Sequence, residues 1–139
     1  MPASSSLSLW VSGARIRTLP LALAPVVLGA ASAWWADSFS LVLTSLAAVV
    51  AVALQVGVNY SNDYSDGIRG TDDFRVGPAR LTGAGLVPPR LVLRAALISF
   101  GAAAVAGLAL IVLSASWWLL LFGLVALAAA WYYTGGKKP

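Results

Sequence analysis

The sequence contains no cysteine, no histidine and no glutamate. The absence of cysteine excludes disulfide bonds and thiol chemistry. The absence of histidine excludes imidazole bases and the usual zinc sites. Aspartate is therefore the only carboxylate of the side chains. Four of the five aspartates fall within eleven residues, at positions 63, 66, 72 and 73. Metal or acid–base chemistry has to be sought in that stretch.

Charge is also scarce: charged residues make up 10% of the 139 residues, whereas hydrophobic residues make up 60%. Soluble domains average about 25% charged and about 45–50% apolar residues. A soluble fold of this length has too little interior to hide so much apolar surface. The composition therefore indicates that lipid is the solvent of this chain.

Four apolar segments are each near the roughly 20 residues that cross about 30 Å of hydrocarbon. They cover residues 18–36, 39–60, 91–113 and 117–133. Because backbone polar groups inside lipid must be satisfied within the segment, these segments are expected to be helices. We predict an all-α, polytopic transmembrane helix bundle with four spans. Residues 1–17 form a cytoplasmic N-terminal segment, and residues 18–139 form the transmembrane domain.

The cations all lie on one side of the predicted spans. The short connections at 37–38 and 114–116 carry none, whereas the nine Lys and Arg residues occupy the two ends and the long middle loop. The positive-inside rule therefore places both ends in the cytoplasm of a cell-membrane protein. The net charge of +4 suits an anionic leaflet and an anionic substrate. Nucleic acid is not an expected partner, because no groove-reading motif is present.

An Asn- and Asp-rich stretch, residues 59–73, closes the second span. On a continuing helix, Asn62 and Asp66 are four residues apart and Asp63 and Asp66 are three apart, which brings them onto neighbouring positions of one face. Oxygen ligands without His or Cys suit hard cations. Magnesium takes one or two carboxylates, keeps waters and completes its shell with phosphate oxygens. The stretch therefore predicts a magnesium site that faces a diphosphate.

Glycines and cations follow the acidic residues. Gly67 and Gly70 are positions where the helix can end. Arg69 is next to them, and Arg80 lies in a Gly- and Pro-rich loop at 77–85, where a guanidinium can bind phosphate with bidentate geometry. For Asp72 and its neighbour Asp73, solvated loop charges remain an alternative interpretation.

At these residues the chain resembles the UbiA-type superfamily of membrane prenyltransferases. Asn62-Asp63-x-x-Asp66, followed by Asp72, is similar to the family's first aspartate-rich motif, although the family places its last Asp where this chain has Gly70. The motifs at 62–73, 77–82 and 133–136 look most like the branch that prenylates 1,4-dihydroxy-2-naphthoate. The resemblance runs from about residue 10 to the end of the chain.

The resemblance implies a magnesium-dependent transfer of a polyprenyl group from polyprenyl diphosphate to 1,4-dihydroxy-2-naphthoate. The acceptor would lose its carboxylate, giving demethylmenaquinone in menaquinone biosynthesis. The implied residues fall into three sets: catalytic Asn62, Asp63, Asp66 and Arg80; diphosphate-binding Arg69, Arg80 and Lys138; and the magnesium ligands Asn62, Asp63, Asp66 and Asp72.

The family has about twice as many helices as this chain. The chain is therefore expected to be the amino-terminal half of a bundle of eight or nine helices, truncated after the fourth and inactive alone. Two other functions remain open: another UbiA-type aromatic prenyltransferase, and a membrane transporter with a cation site. A transporter needs polar residues at mid-span, where Gln55 is the one clear example.

Overall fold

The computed structural model describes residues 6–70 and 80–134. Within these ranges the fold is helical, without strands. A short 3-10 turn at Ile16–Thr18 joins the first two of five helices. The helices, numbered α1 to α5, are Ser6–Ala14, Leu19–Trp35, Leu41–Arg69, Pro89–Ser114 and Leu119–Thr134. The predicted all-α class is therefore confirmed.

Three helical stretches are long and apolar enough to cross a membrane: Leu7–Trp35, Leu41–Arg69 and Pro89–Ser114. They contain the first three predicted spans almost entirely. The fourth predicted span corresponds to a shorter apolar helix, Leu119–Tyr133. Its 15 residues rise only about 22 Å, less than the roughly 30 Å of a hydrocarbon core.

Helix α3 extends well beyond the predicted span at 39–60. Its 29 residues make it about 43 Å long, which exceeds the hydrocarbon thickness by roughly 13 Å. The Ser40 side chain caps the start of α3 by accepting a hydrogen bond from the N–H of Leu43 at 3.3 Å. The excess length therefore lies at the other end, where the Asn and Asp residues are.

Helix α1 is an element that the sequence analysis missed, because it treated residues 1–17 only as an N-terminal segment. Nine residues are too few for a helix to be stable alone, so tertiary packing must hold α1. The Tyr60 hydroxyl donates to the Trp10 carbonyl at 2.8 Å, and the two rings meet edge to face with centroids 5.7 Å apart. Arg15, in the left-handed region at φ 53°, then redirects the chain.

Helices α3 and α4 pack through a small residue that faces a large one. Gly57 lies directly against the ring of Phe100, since a Cβ built on it would be 2.7 Å from the ring. Phe100 belongs to a row on α4 with Val92, Ala96 and Ala103, all buried and spaced three or four residues apart. This spacing places them on one face of α4. Small residues at such contacts let membrane helices approach closely.

The four exposed tryptophans lie at one end of the bundle. Trp34 and Trp35 end α2, and Trp117 and Trp118 precede α5; all four side chains are at least 61% exposed. They flank the two short connections that carry no cation. This arrangement is typical of an aromatic belt at a membrane interface.

We expect Gly57→Val to destabilise the fold, because its side chain would overlap the Phe100 ring. Overpacking of this kind costs about 1–3 kcal/mol. The matched control is Gly101→Val on α4, where a Cβ meets nothing within 4 Å. Thermal unfolding of both variants in detergent provides the comparison. Equal unfolding temperatures would contradict the close α3–α4 contact.

Candidate functional site

The candidate site lies at the last turns of α3. The helix runs without interruption through Asp63 and Asp66 to Arg69, as the spacing of the polar residues predicts. It ends at Gly70, whose φ of 69° lies in the left-handed region and whose N–H bonds the carbonyl of Asp66. Gly67, the other predicted end, stays inside the helix. Asn59, Asn62, Asp63 and Asp66 are therefore all presented from one helix.

Asp63 is turned towards the loop that precedes α4. Its side chain is 3% exposed. One carboxylate oxygen accepts a hydrogen bond from the N–H of Leu81 at 2.9 Å, and the other accepts one from the N–H of Thr82 at 2.8 Å. Sequence analysis expected Asp63 to bind metal beside Asp66. In the structure its carboxylate bonds to the backbone of this loop, and its predicted role as a metal ligand stays a prediction.

Asp66 forms the charged part of the site with Arg80. The guanidinium Nη1 lies 2.7 Å from the Asp66 carboxylate. The Arg80 side chain is buried at 7% exposure, whereas the Asp66 side chain is 27% exposed. Arg80 thus lies against the acidic cluster, and its predicted binding of diphosphate stays a prediction. One carboxylate of the cluster and one cation of the loop share a partly open position at the end of the helix.

The loop is packed against two glycines as well as bonded to Asp63. A Cβ on Gly67 would fall 2.4 Å from Cγ2 of Thr82, and a Cβ on Gly13 would fall 2.5 Å from Cδ1 of Leu81. Leu81 is 1% exposed. Leu81 therefore packs directly against the backbone of α1, and Thr82 packs against that of α3. The Gly67–Thr82 contact explains the glycine inside α3, which sequence analysis had interpreted as a possible helix end.

Among the Asn and Asp residues of α3, Asn62 and Asp66 have partly exposed side chains. Both are intermediate in burial and, four residues apart on α3, they lie on the same face. Arg69, in the last turn, is exposed. An amide oxygen and a carboxylate on one face suit magnesium, which fills the rest of its shell with water and phosphate oxygens. The donor chemistry of this pair therefore fits the predicted metal.

The remaining predicted residues cannot be placed. Asp72, Asp73 and Lys138 lie outside the described residues. Among the residues that the structure describes, no three of the His, Cys, Asp or Glu type come together as a metal-binding group. Within the part of the chain that the structure describes, a magnesium shell at this helix end would need the amide of Asn62 as well as carboxylates.

A buried amide network below the site was not foreseen. Asn59 donates from Nδ2 to the carbonyl of Ala14 at 2.8 Å and to Oγ1 of Thr18 at 3.1 Å. Gln55 donates to the same Thr18 oxygen at 3.2 Å. The network ties α1 and the start of α2 to α3. The amide of Gln55 therefore has a structural partner and does not require an ion pathway.

Comparison with known proteins places these features in a family. The model of the UbiA prenyltransferase family matches residues 22–138. The chain is 57% identical over 135 residues to the 1,4-dihydroxy-2-naphthoate octaprenyltransferase of Mycobacterium tuberculosis. It is 34% identical over 136 residues to the protein of that name from Escherichia coli, and 35% identical over 126 residues to that of Bacillus subtilis.

These alignments cover 97%, 94% and 90% of this chain, but 46%, 44% and 40% of the relatives. The chain thus spans about half the length of the curated relatives it matches. No solved structure matches it.

We expect Asn59→Asp to destabilise the protein, because a carboxylate has no N–H to donate to the Ala14 carbonyl. An unsatisfied buried polar group costs about 1–3 kcal/mol. Asn62→Asp, the same chemical change at a half-buried position one turn nearer the helix end, is the matched control and should cost less. The measurement is thermal unfolding in magnesium-free detergent. A larger loss for the control would refute the network.

Proposed function

We propose, from the premise that this chain belongs to the UbiA prenyltransferase family, that it supplies the diphosphate-binding site of a magnesium-dependent polyprenyl transfer. The observation that carries this proposal is the pairing of Asp66 with Arg80. It brings a partly exposed carboxylate and a buried guanidinium to within 2.7 Å at the end of an apolar helix. A metal–diphosphate substrate needs both: an oxygen ligand for the cation and a fixed positive charge for the phosphate.

The division of roles follows from exposure. Asn62 and Asp66 are the described residues that would hold magnesium, with Asp72 as a further ligand. When bound, magnesium supplies Lewis-acid stabilisation of the leaving diphosphate. Arg80, together with Arg69 and Lys138, adds positive charge where negative charge develops as the allylic C–O bond breaks.

The apolar helices serve the other end of the substrate. Cleavage of an allylic diphosphate leaves an electron-poor prenyl carbon, which water would quench. The spans α2 to α4 are apolar along most of their length, so they exclude water from the isoprenoid chain. A diphosphate group bound at the cytoplasmic end of α3 then places the reacting carbon close to the bilayer boundary.

The proposed acceptor is 1,4-dihydroxy-2-naphthoate, the substrate in the names of the M. tuberculosis and E. coli relatives. A ring carbon of the acceptor forms the new bond to the prenyl carbon, diphosphate departs, and the acceptor carboxylate leaves as CO2. The direct product is demethylmenaquinol, the reduced form of the demethylmenaquinone of menaquinone biosynthesis. The enzyme works in the cell membrane, with the site and both ends of this chain on the cytoplasmic side.

We expect Asp66→Ala to abolish prenyl transfer, because it removes the partly exposed carboxylate and leaves Arg80 without this partner. Since the relatives named for the reaction are about twice as long, turnover is measured in a chimera. In it, this chain replaces the matching 135-residue segment of the M. tuberculosis protein, and this chain alone is expected to be inactive. The matched control is Asp37→Ala, at the opposite end of the spans.

The assay follows magnesium-dependent formation of prenylated naphthoquinol from the diphosphate and the naphthoate, detected as the quinone after oxidation in air. A loss of at least about 100-fold in kcat/KM is expected for Asp66→Ala, equivalent to about 2.7 kcal/mol of transition-state stabilisation. Near-normal turnover of this variant, or an equal loss with Asp37→Ala, would remove Asp66 from the active site.

We expect single cysteines to report the proposed orientation, since the native chain has none. Ser38→Cys lies in the connection between α2 and α3, and Ala84→Cys lies in the loop before α4; both positions are exposed. In intact cells a membrane-impermeant thiol reagent should label position 38 and should reach position 84 only after permeabilisation. The reverse pattern would overturn the topology.

A further inference from the structure

The carboxylate of Asp63 differs from that of Asp66 in what surrounds it. Both its oxygens accept hydrogen bonds from consecutive backbone N–H groups, those of Leu81 and Thr82, at 2.9 and 2.8 Å. Its side chain is 3% exposed, whereas that of Asp66 is 27% exposed. A magnesium ion with its waters and a diphosphate needs open space beside the ligand oxygen. Asp66 offers that space and Asp63 does not.

The two carboxylates hold adjacent residues of the same loop in different ways. Asp63 binds the loop through its backbone at Leu81 and Thr82, and Asp66 binds the side chain of Arg80. Leu81, the first residue that Asp63 binds, directly follows Arg80. The hydrogen bonds of Asp63 therefore fix the backbone position from which the Arg80 side chain extends. The packing of Thr82 against Gly67 holds the same segment from below.

A charged acceptor is well suited to this task. Hydrogen bonds from backbone N–H groups to a carboxylate are roughly twice as strong as neutral ones. They also satisfy two donors that would otherwise be buried without a partner, which is costly in a water-poor setting. An amide in place of the carboxylate accepts only one of the two bonds and turns its own NH2 group towards the other N–H.

We propose that Asp63 is a positioning residue rather than a magnesium ligand: it latches residues 80–82 onto α3 and thereby holds Arg80 at the diphosphate site. The assignment depends on the proposed function only in naming diphosphate as what Arg80 binds. The attachment of residues 80–82 to α3 by Asp63 does not depend on metal or substrate.

The first test is hydrogen exchange of this chain in nanodiscs, without magnesium or substrate. Asp63→Asn should raise the exchange rate of the Leu81 and Thr82 amides about tenfold or more, because local opening then costs less. Asp66→Asn, the same change one turn away, leaves both backbone bonds in place and should raise these rates far less. Unchanged protection in Asp63→Asn would overturn the proposal.

A second variant loosens the latch without altering its charge. Gly67→Ala places a methyl group against Thr82 and should raise the same exchange rates while Asp63 stays intact. If Asp63→Asn does not fold, Gly67→Ala provides the test. Slow exchange of the Leu81 and Thr82 amides in this variant would contradict a loop that packs directly against α3.

Kinetics of the chimera then separate positioning from metal binding. The latch predicts for Asp63→Asn a KM for polyprenyl diphosphate raised about tenfold, with a half-saturating magnesium concentration within about twofold of the parent. It also predicts that Asp63→Asn adds little to Arg80→Ala, because both remove the same contact. If Asp63→Asn raises the half-saturating magnesium concentration as much as Asp66→Asn does, Asp63 is a magnesium ligand. The exchange result stands even if the chimera shows no prenyl transfer, so failure of the proposed function remains distinguishable.

Discussion

Two hydrogen bonds from the backbone of Leu81 and Thr82 to the buried carboxylate of Asp63 join a helix to a loop that is distant in sequence. Through them the loop before α4 closes onto the end of α3, and Arg80 comes to lie against Asp66. Alone, α3 would be an apolar helix with an acidic end, and the loop would be a polar segment with an arginine. Joined, they place a carboxylate and a guanidinium in one partly open position.

Helix α3 serves both the membrane and the site because it is longer than the bilayer core is thick. Its apolar turns satisfy their backbone groups internally, as lipid demands, and its last turns emerge where polar groups can be partnered or solvated. Two of the buried polar side chains there are bonded: Asn59 to α1 and the following turn, and Asp63 to the loop. The half-buried Asn62 and Asp66, the latter paired with Arg80, are the residues proposed to face the metal and the diphosphate.

Glycines decide where the elements touch. At Gly13, Gly57 and Gly67 an added Cβ would come closer than 3.0 Å to a neighbouring side chain, so each marks a contact between elements. The helical glycines at positions 29, 101 and 123 are exposed, and an added Cβ there would meet nothing within 4 Å. Between them, the three contacts hold α1, α4 and the loop against α3, and so support the site from three sides.

The sequence by itself determined the membrane class, the first three spans and the continuation of α3 through Asp66, because composition, segment length and i,i+4 spacing are local properties. The family followed from the resemblance of the sequence motifs. Tertiary structure alone decided that α1 folds at all, that Gly67 is a contact rather than a helix end, and that Asp63 faces backbone while Asp66 faces Arg80. The physical reason is that helical spacing specifies which residues share a face but not what lies opposite it. Nearly every residue has a backbone N–H, so the sequence of the loop does not indicate which N–H groups bond to Asp63.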